Sequence, residues 1–266
     1  MLSQDLLEAA TAEYKRGKIE ESYSIVNEIV EARPTAEAFM LRADCLHKMG
    51  EFNAALEDYD RARINGYDGE LLMLNRGICK TSLGLYEEAK QDLVTFMQDH
   101  TNDARPYYWI GSIEYMMEEP KSAMRYLDQA IYLDSSYAEA YYLRGAAFAD
   151  MGKTLAAFED FKACYDMRPD MLRAKMYMAT LLMDIGNYQQ ASEMLSELRL
   201  ENIDFVAEVL YYRGHAFFNL HDLDGACNDW VEAAQLGDED AEASYKKACR
   251  DKSGIPRLKR KSYIQF

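Results

Sequence analysis

No run of apolar residues in this chain is long enough to cross a bilayer. The catalytic signatures H-E-x-x-H and G-x-S-x-G and the glycine-rich phosphate loop are all missing. Of the four histidines, His47 and His100 are far from each other and from His215 and His221. An enzyme needs convergent polar groups, so no catalytic centre and no cofactor are expected. None of the five cysteines (Cys45, Cys79, Cys164, Cys227, Cys249) forms a C-x-x-C pair, which leaves no metal-site spacing. The cysteines read instead as small buried hydrophobes in a reducing compartment, and a cytoplasmic location is expected. The N-terminus, MLSQDLLEAA, has neither a basic start nor an apolar stretch, so no signal peptide is expected.

Basic residues are also scarce. Lys and Arg number 30 against 46 Asp and Glu, a net charge of −16. The charge is uneven: residues 246–266 carry +7, and the remaining 245 carry −23. A body this acidic repels phosphate backbones and excludes nucleic acid as a partner. With 49% apolar and 29% charged residues, the chain is neither disordered nor membrane-embedded.

What the sequence does contain is a repeat. A small residue recurs at Ala10, Ala43, Gly77, Gly111, Gly145, Ala179 and Gly214, in steps of 33, 34, 34, 34, 34 and 35. Twelve residues after each lies a second small residue: Ser22, Ala55, Ala89, Ala123, Ala157, Ala191 and Ala226. A fixed period of this length marks one supersecondary unit stacked on copies of itself. Each unit reads as two amphipathic helices around a tight turn, as in AEAYYLRGAAFADM–Gly152–LAAFEDFKACYDM. Gly17, Gly50, Gly84, Gly152 and Gly186 share the turn position. Glu118 and His221 stand there in the fourth and seventh units, so distorted turns are expected. Gly77, Gly111, Gly145 and Gly214 fall mid-way along the first helix, where a missing side chain lets the paired helices approach.

Arg42, Arg76, Arg144 and Arg213 are each followed sixteen residues later by an aspartate: Asp58, Asp92, Asp160 and Asp229. Arginine and aspartate are absent together from the fourth and sixth units. This joint occurrence predicts a two-pronged guanidinium–carboxylate pair between the helices of a unit.

The pattern resembles the tetratricopeptide repeat (TPR) family. Its large fourth position matches Phe39, Met73, Tyr107, Tyr141 and Leu210, and its twenty-fourth matches Tyr59, Leu93, Leu127, Phe161, Leu195 and Trp230. Lys175 departs from it at the fourth position of the sixth unit. The resemblance implies an all-α, right-handed α-solenoid of seven helix-turn-helix units. Their expected limits are 3–35, 36–69, 70–103, 104–137, 138–171, 172–206 and 207–240. A capping helix at 241–252 and a basic tail at 253–266 follow.

The resemblance also implies a non-enzymatic protein-interaction scaffold. Its relatives bind a peptide or helix in a groove lined by the second, fifth, ninth, twelfth and thirteenth positions of the first helices. The ninth positions run Thr11, Asp44, Ile78, Ser112, Ala146, Thr180 and His215, without the Lys–Asn clamp of chaperone-binding members. The expected groove is aromatic and thioether-rich instead. Tyr108, Tyr115, Met116, Tyr142, Met176, Met183, Tyr211 and Phe218 line it, with Asp150 and Asp184 adding negative charge. Such a surface suits a protein or peptide with apolar anchors and basic flanks. The tail RLKRKSYIQF has that character, so self-association through it is a further expectation. A client-specific chaperone or adaptor, or a peptide-sensing regulator, is the alternative reading.

Overall fold

The computed structural model describes residues 2–201 and 203–249, which fold entirely as helices joined by short links. They divide into two compact units. The N-terminal unit holds α1 (Leu2–Lys15), α2 (Ile19–Ala32), α3 (Ala36–Lys48), α4 (Phe52–Ile64), α5 (Leu72–Ser82), α6 (Tyr86–Asp99), α7 (Ala104–Met116) and α8 (Pro120–Leu133). The C-terminal unit holds α9 (Ala138–Asp150), α10 (Thr154–Met167), α11 (Leu172–Asp184), α12 (Tyr188–Arg199), α13 (Val206–Asn219), α14 (Leu223–Gln235) and α15 (Glu239–Ala248). Within each unit, consecutive helices form tightly packed pairs. The basic tail and the end of the expected capping segment lie outside the described residues.

Steric fit sets the spacing within a pair. A Cβ on Gly77 would stand 2.9 Å from Leu93, one on Gly111 2.9 Å from Leu127, and one on Gly214 2.6 Å from the Trp230 indole. Gly145 has more room, with its nearest neighbours at 3.3 Å. The recurring large side chain of the second helix therefore fills the space that glycine leaves in the first. Tyr59, Leu93, Leu127, Phe161, Leu195 and Trp230 are all buried.

The turns follow the glycine pattern, with left-handed backbone at Gly17, Gly50, Gly84, Gly152 and Gly186. The two expected distortions do not occur. Glu118 and His221 take the same conformation, with φ of 60° and 63°. The helix pairs on either side hold the turn in place, and the side chains accept the strain.

All four arginine–aspartate pairs form. Arg42 donates to Asp58 at 2.5 and 2.9 Å, and Arg76 to Asp92 at 2.7 and 2.5 Å. Arg144 donates to Asp160 at 2.7 and 2.8 Å, and Arg213 to Asp229 at 2.7 Å in both bonds. The carboxylates are buried. In at least three of the pairs the remaining guanidinium nitrogen reaches back to the preceding helix pair. Arg42 Nη1 donates to Asn27 at 2.8 Å, Arg76 Nη1 to Asp60 at 2.8 Å, and Arg213 Nη1 to Ser196 at 3.3 Å. One side chain thus joins three helices. Lys175, the departure in the sixth unit, is largely buried along its stem and pairs its ammonium with Glu197 at 2.5 Å, and Met176 beside it is fully buried.

The cysteines divide. Cys45, Cys79 and Cys164 are free and buried, as expected of small hydrophobes. Cys227 and Cys249 form a disulfide, which corrects the reading of all five as reduced thiols. The sequence spacing of 22 gave no hint of it. Folding α15 back onto α14 brings the two Cα atoms to 6.0 Å, within bridging distance.

Three outcomes follow from this packing. Asp229→Ala lowers the free energy of unfolding by about 3–5 kcal/mol because it strands a buried guanidinium. The double variant Arg213→Met/Asp229→Leu loses clearly less, and equal losses in chemical denaturation would contradict the pairing. Glu118→Gly and His221→Gly each stabilise the fold by about 1 kcal/mol by removing left-handed strain, read as a rise in midpoint. Alkylation of the unfolded chain labels three cysteines without reductant and five with it; five in both cases would refute the bridge.

Candidate functional site

Each compact unit carries a cavity, lined mostly from first helices in the N-terminal unit and mostly from inter-pair links in the C-terminal one. The C-terminal cavity is the larger, at about 590 Å³. Tyr142 of α9 and Leu172 of α11 line it, and the link between α12 and α13 adds Ile203 and Phe205. Asp170 and Asp204 border it. Arg173 also lines it, with its guanidinium 4.4 Å from the Phe205 ring centre and paired to Glu208 at 3.3 Å. The Tyr142 ring packs edge-on against Phe161 at 5.5 Å. Burial is the main cause holding its phenol above the ordinary tyrosine range, followed by the neighbouring Tyr177.

The expected groove residues of this unit do not all share that cavity. Met176 is fully buried, packed with Leu195, Leu198 and Val209, and presents no surface to a partner. Met183 is half-buried against the same cluster. Tyr211 and Phe218 belong to a separate aromatic group on α13. Tyr211 meets His215 at 4.6 Å, and Phe218 lies 5.7 Å from Trp230 while 46% exposed. The Trp230 indole N–H donates to the Tyr211 carbonyl at 3.2 Å. Burial, ahead of Asp240 and Asp238, raises the Tyr211 phenol. Asp150 and Asp184 are exposed at the C-terminal ends of α9 and α11.

In the N-terminal unit, α7 carries the other three expected residues. Tyr108 and Tyr115 are half-buried, and Met116 is 52% exposed. The Tyr108 ring lies 5.3 Å from Trp109, and it is Trp109 that faces the cavity of this unit. That cavity measures about 330 Å³, and its polar centre is Asp44. Asp44 Oδ1 accepts from the Tyr59 hydroxyl at 2.7 Å and from Asn75 Nδ2 at 2.9 Å. Tyr14, Ile78 and Trp109 add apolar surface, and His47 and Lys48 complete the lining.

Burial raises the Asp44 carboxyl above its ordinary value, opposed by the two hydrogen bonds and by the charge of Lys48. Burial, helped by Asp44, pushes the Tyr14 phenol up to about 12. Burial also lowers His47, with Lys48 adding to the effect, so the imidazole is neutral at pH 7.

Asp44 and Ile78 occupy ninth positions, where the sequence already drew attention. Asp44 counted there only against a Lys–Asn clamp. Tyr59 and Asn75, which orient it, gave no separate signal. Among the described residues no group of His, Cys, Asp and Glu could hold a metal ion, and no helix is long and apolar enough to cross a membrane.

Family comparison agrees with the architecture. Tetratricopeptide repeat families match residues 7–69, 104–137 and 148–210. A UDP-N-acetylglucosamine–peptide N-acetylglucosaminyltransferase of Giardia intestinalis is 34% identical over 65 residues, which are 24% of this chain. Lipopolysaccharide assembly protein B of Haemophilus influenzae is 30% identical over 99 residues, or 37% of this chain. The matched segments span only 4% and 25% of those two proteins. A tetratricopeptide repeat protein from Parabacteroides merdae superposes with a TM-score of 0.64 over 92% of this chain and 97% of its own, at 16% identity, a likeness of fold alone. By its matched repeats and its paired helices, the chain belongs to the tetratricopeptide repeat family.

Proposed function

We propose that the chain is a non-enzymatic scaffold that binds a peptide or helix with apolar anchors and basic flanks. The family membership supports a protein-interaction role. The observation that carries the finer reading is the C-terminal cavity of about 590 Å³. Its Tyr142, Leu172, Ile203 and Phe205 side chains offer apolar surface for an anchor, and Asp204 favours positive flanking charge, whereas Asp170 is already paired with Arg168 at 2.7 Å. The net charge of −16 acts in the same direction at longer range. The Cys227–Cys249 bridge favours an oxidising compartment over the cytoplasm that the cysteine pattern suggests.

The test is a peptide array that varies Leu, Phe or Met anchors against Lys/Arg or Asp/Glu flanks, probed with the full chain. Peptides with apolar anchors and basic flanks bind best. Tyr142→Ala and Ile203→Ser each weaken them about tenfold, while Leu155→Ser, on the exposed face of α10, does not. Preference for acidic flanks, or undiminished binding by the cavity variants, would contradict the reading.

A further inference from the structure

Asp44 has one oxygen engaged and one open. Tyr59 and Asn75 both donate to Oδ1. Among the described residues none donates to Oδ2. Nor is Oδ2 sealed from solvent, since among the described residues Glu13 Oε2 alone is a fully buried side-chain oxygen without a hydrogen-bond partner. The two donors come from different helices, α4 and α5, and the Tyr59 ring is buried. The carboxylate is therefore fixed before any ligand arrives, with its free lone pairs toward the cavity.

We propose that this cavity is a subsite for a lysine or arginine side chain of a bound partner segment, with Asp44 Oδ2 as its counter-charge and Tyr14 and Trp109 as its aromatic walls. The proposal rests on the scaffold reading and names the chemistry recognised at one point of it. At neutral pH the cavity contains two charged groups, Asp44 and Lys48, because His47 and the tyrosines stay neutral. Lys48 is the only exposed residue of the lining and makes no ion pair among the described residues, yet its charge is felt by Asp44. It acts as a tethered counter-ion that screens the carboxylate in the empty cavity and swings into solvent when a guest cation enters. The faces of Tyr14 and Trp109 favour a cation with an apolar stem over a bare ion. The volume of about 330 Å³ lies within the usual range for ligand pockets.

The experiment uses the full chain labelled with ¹⁵N and follows its two indole N–H resonances, assigned through Trp109→Phe. The probes are N-acetyl-arginine methylamide, N-acetyl-lysine methylamide and, as the neutral isostere of the first, N-acetyl-citrulline methylamide. Arginine and lysine shift the Trp109 resonance and leave that of Trp230 in place; citrulline shifts neither. Asp44→Asn, which keeps both hydrogen bonds to Oδ1, weakens the cation response at least about tenfold with no fall in melting temperature. Lys48→Ala strengthens it about threefold by removing the internal competitor. An equal response to citrulline, an unchanged response in Asp44→Asn, or weaker binding in Lys48→Ala would each overturn the subsite. Any of these would leave the scaffold reading intact, since that reading is judged by the peptide array and the C-terminal cavity variants.

Discussion

The structure depends on a guanidinium, buried in two cases and partly buried in two, held by a buried carboxylate across each of four helix pairs. The pair satisfies two charges that would be costly alone, and its planar fork tolerates little rotation of one helix against the other. In at least three cases the same guanidinium also reaches the preceding pair, so the angle within a pair and the stacking of pairs are set together. Glycine in the first helix and a large side chain in the second set the distance. In α5/α6, α9/α10 and α13/α14 both devices act together, distance from sterics and angle from a directional ion pair.

That rigidity bears on binding. The residues around each cavity come from elements far apart in sequence, such as Tyr14, Asp44, Ile78 and Trp109 in one and Tyr142, Leu172 and Ile203 in the other. Their positions are defined only as well as the stacking beneath them. A cavity held by packed helices is formed before the ligand arrives, which lowers the ordering cost of association. The two cavities differ in character. One is apolar with acids at its edge, and the other centres on a single oriented carboxylate.

Much of the fold was legible in the sequence because its cause is local and repeated. The glycines mark the turns and the close approaches, and the joint presence of arginine and aspartate pointed to their contact. Glu118 and His221 show the limit of that reasoning. Residue preference suggested distorted turns, but the packing of the flanking helices outweighs the strain of a left-handed side chain. The candidate site was only partly legible. Tyr142 reaches a cavity, whereas Met40, Leu74 and Met176 at the same repeat position are buried, so the position alone does not say which side chains stay accessible.

The amino-acid sequence by itself determined the helical pairs, their period, their turns and their ion pairs, since each follows from residue types at short, fixed separations. The tertiary structure decided which side chains share a cavity, which oxygen of Asp44 stays open, and that Cys227 meets Cys249. Those outcomes depend on contacts between side chains of different helices, and no single spacing in the chain encodes them.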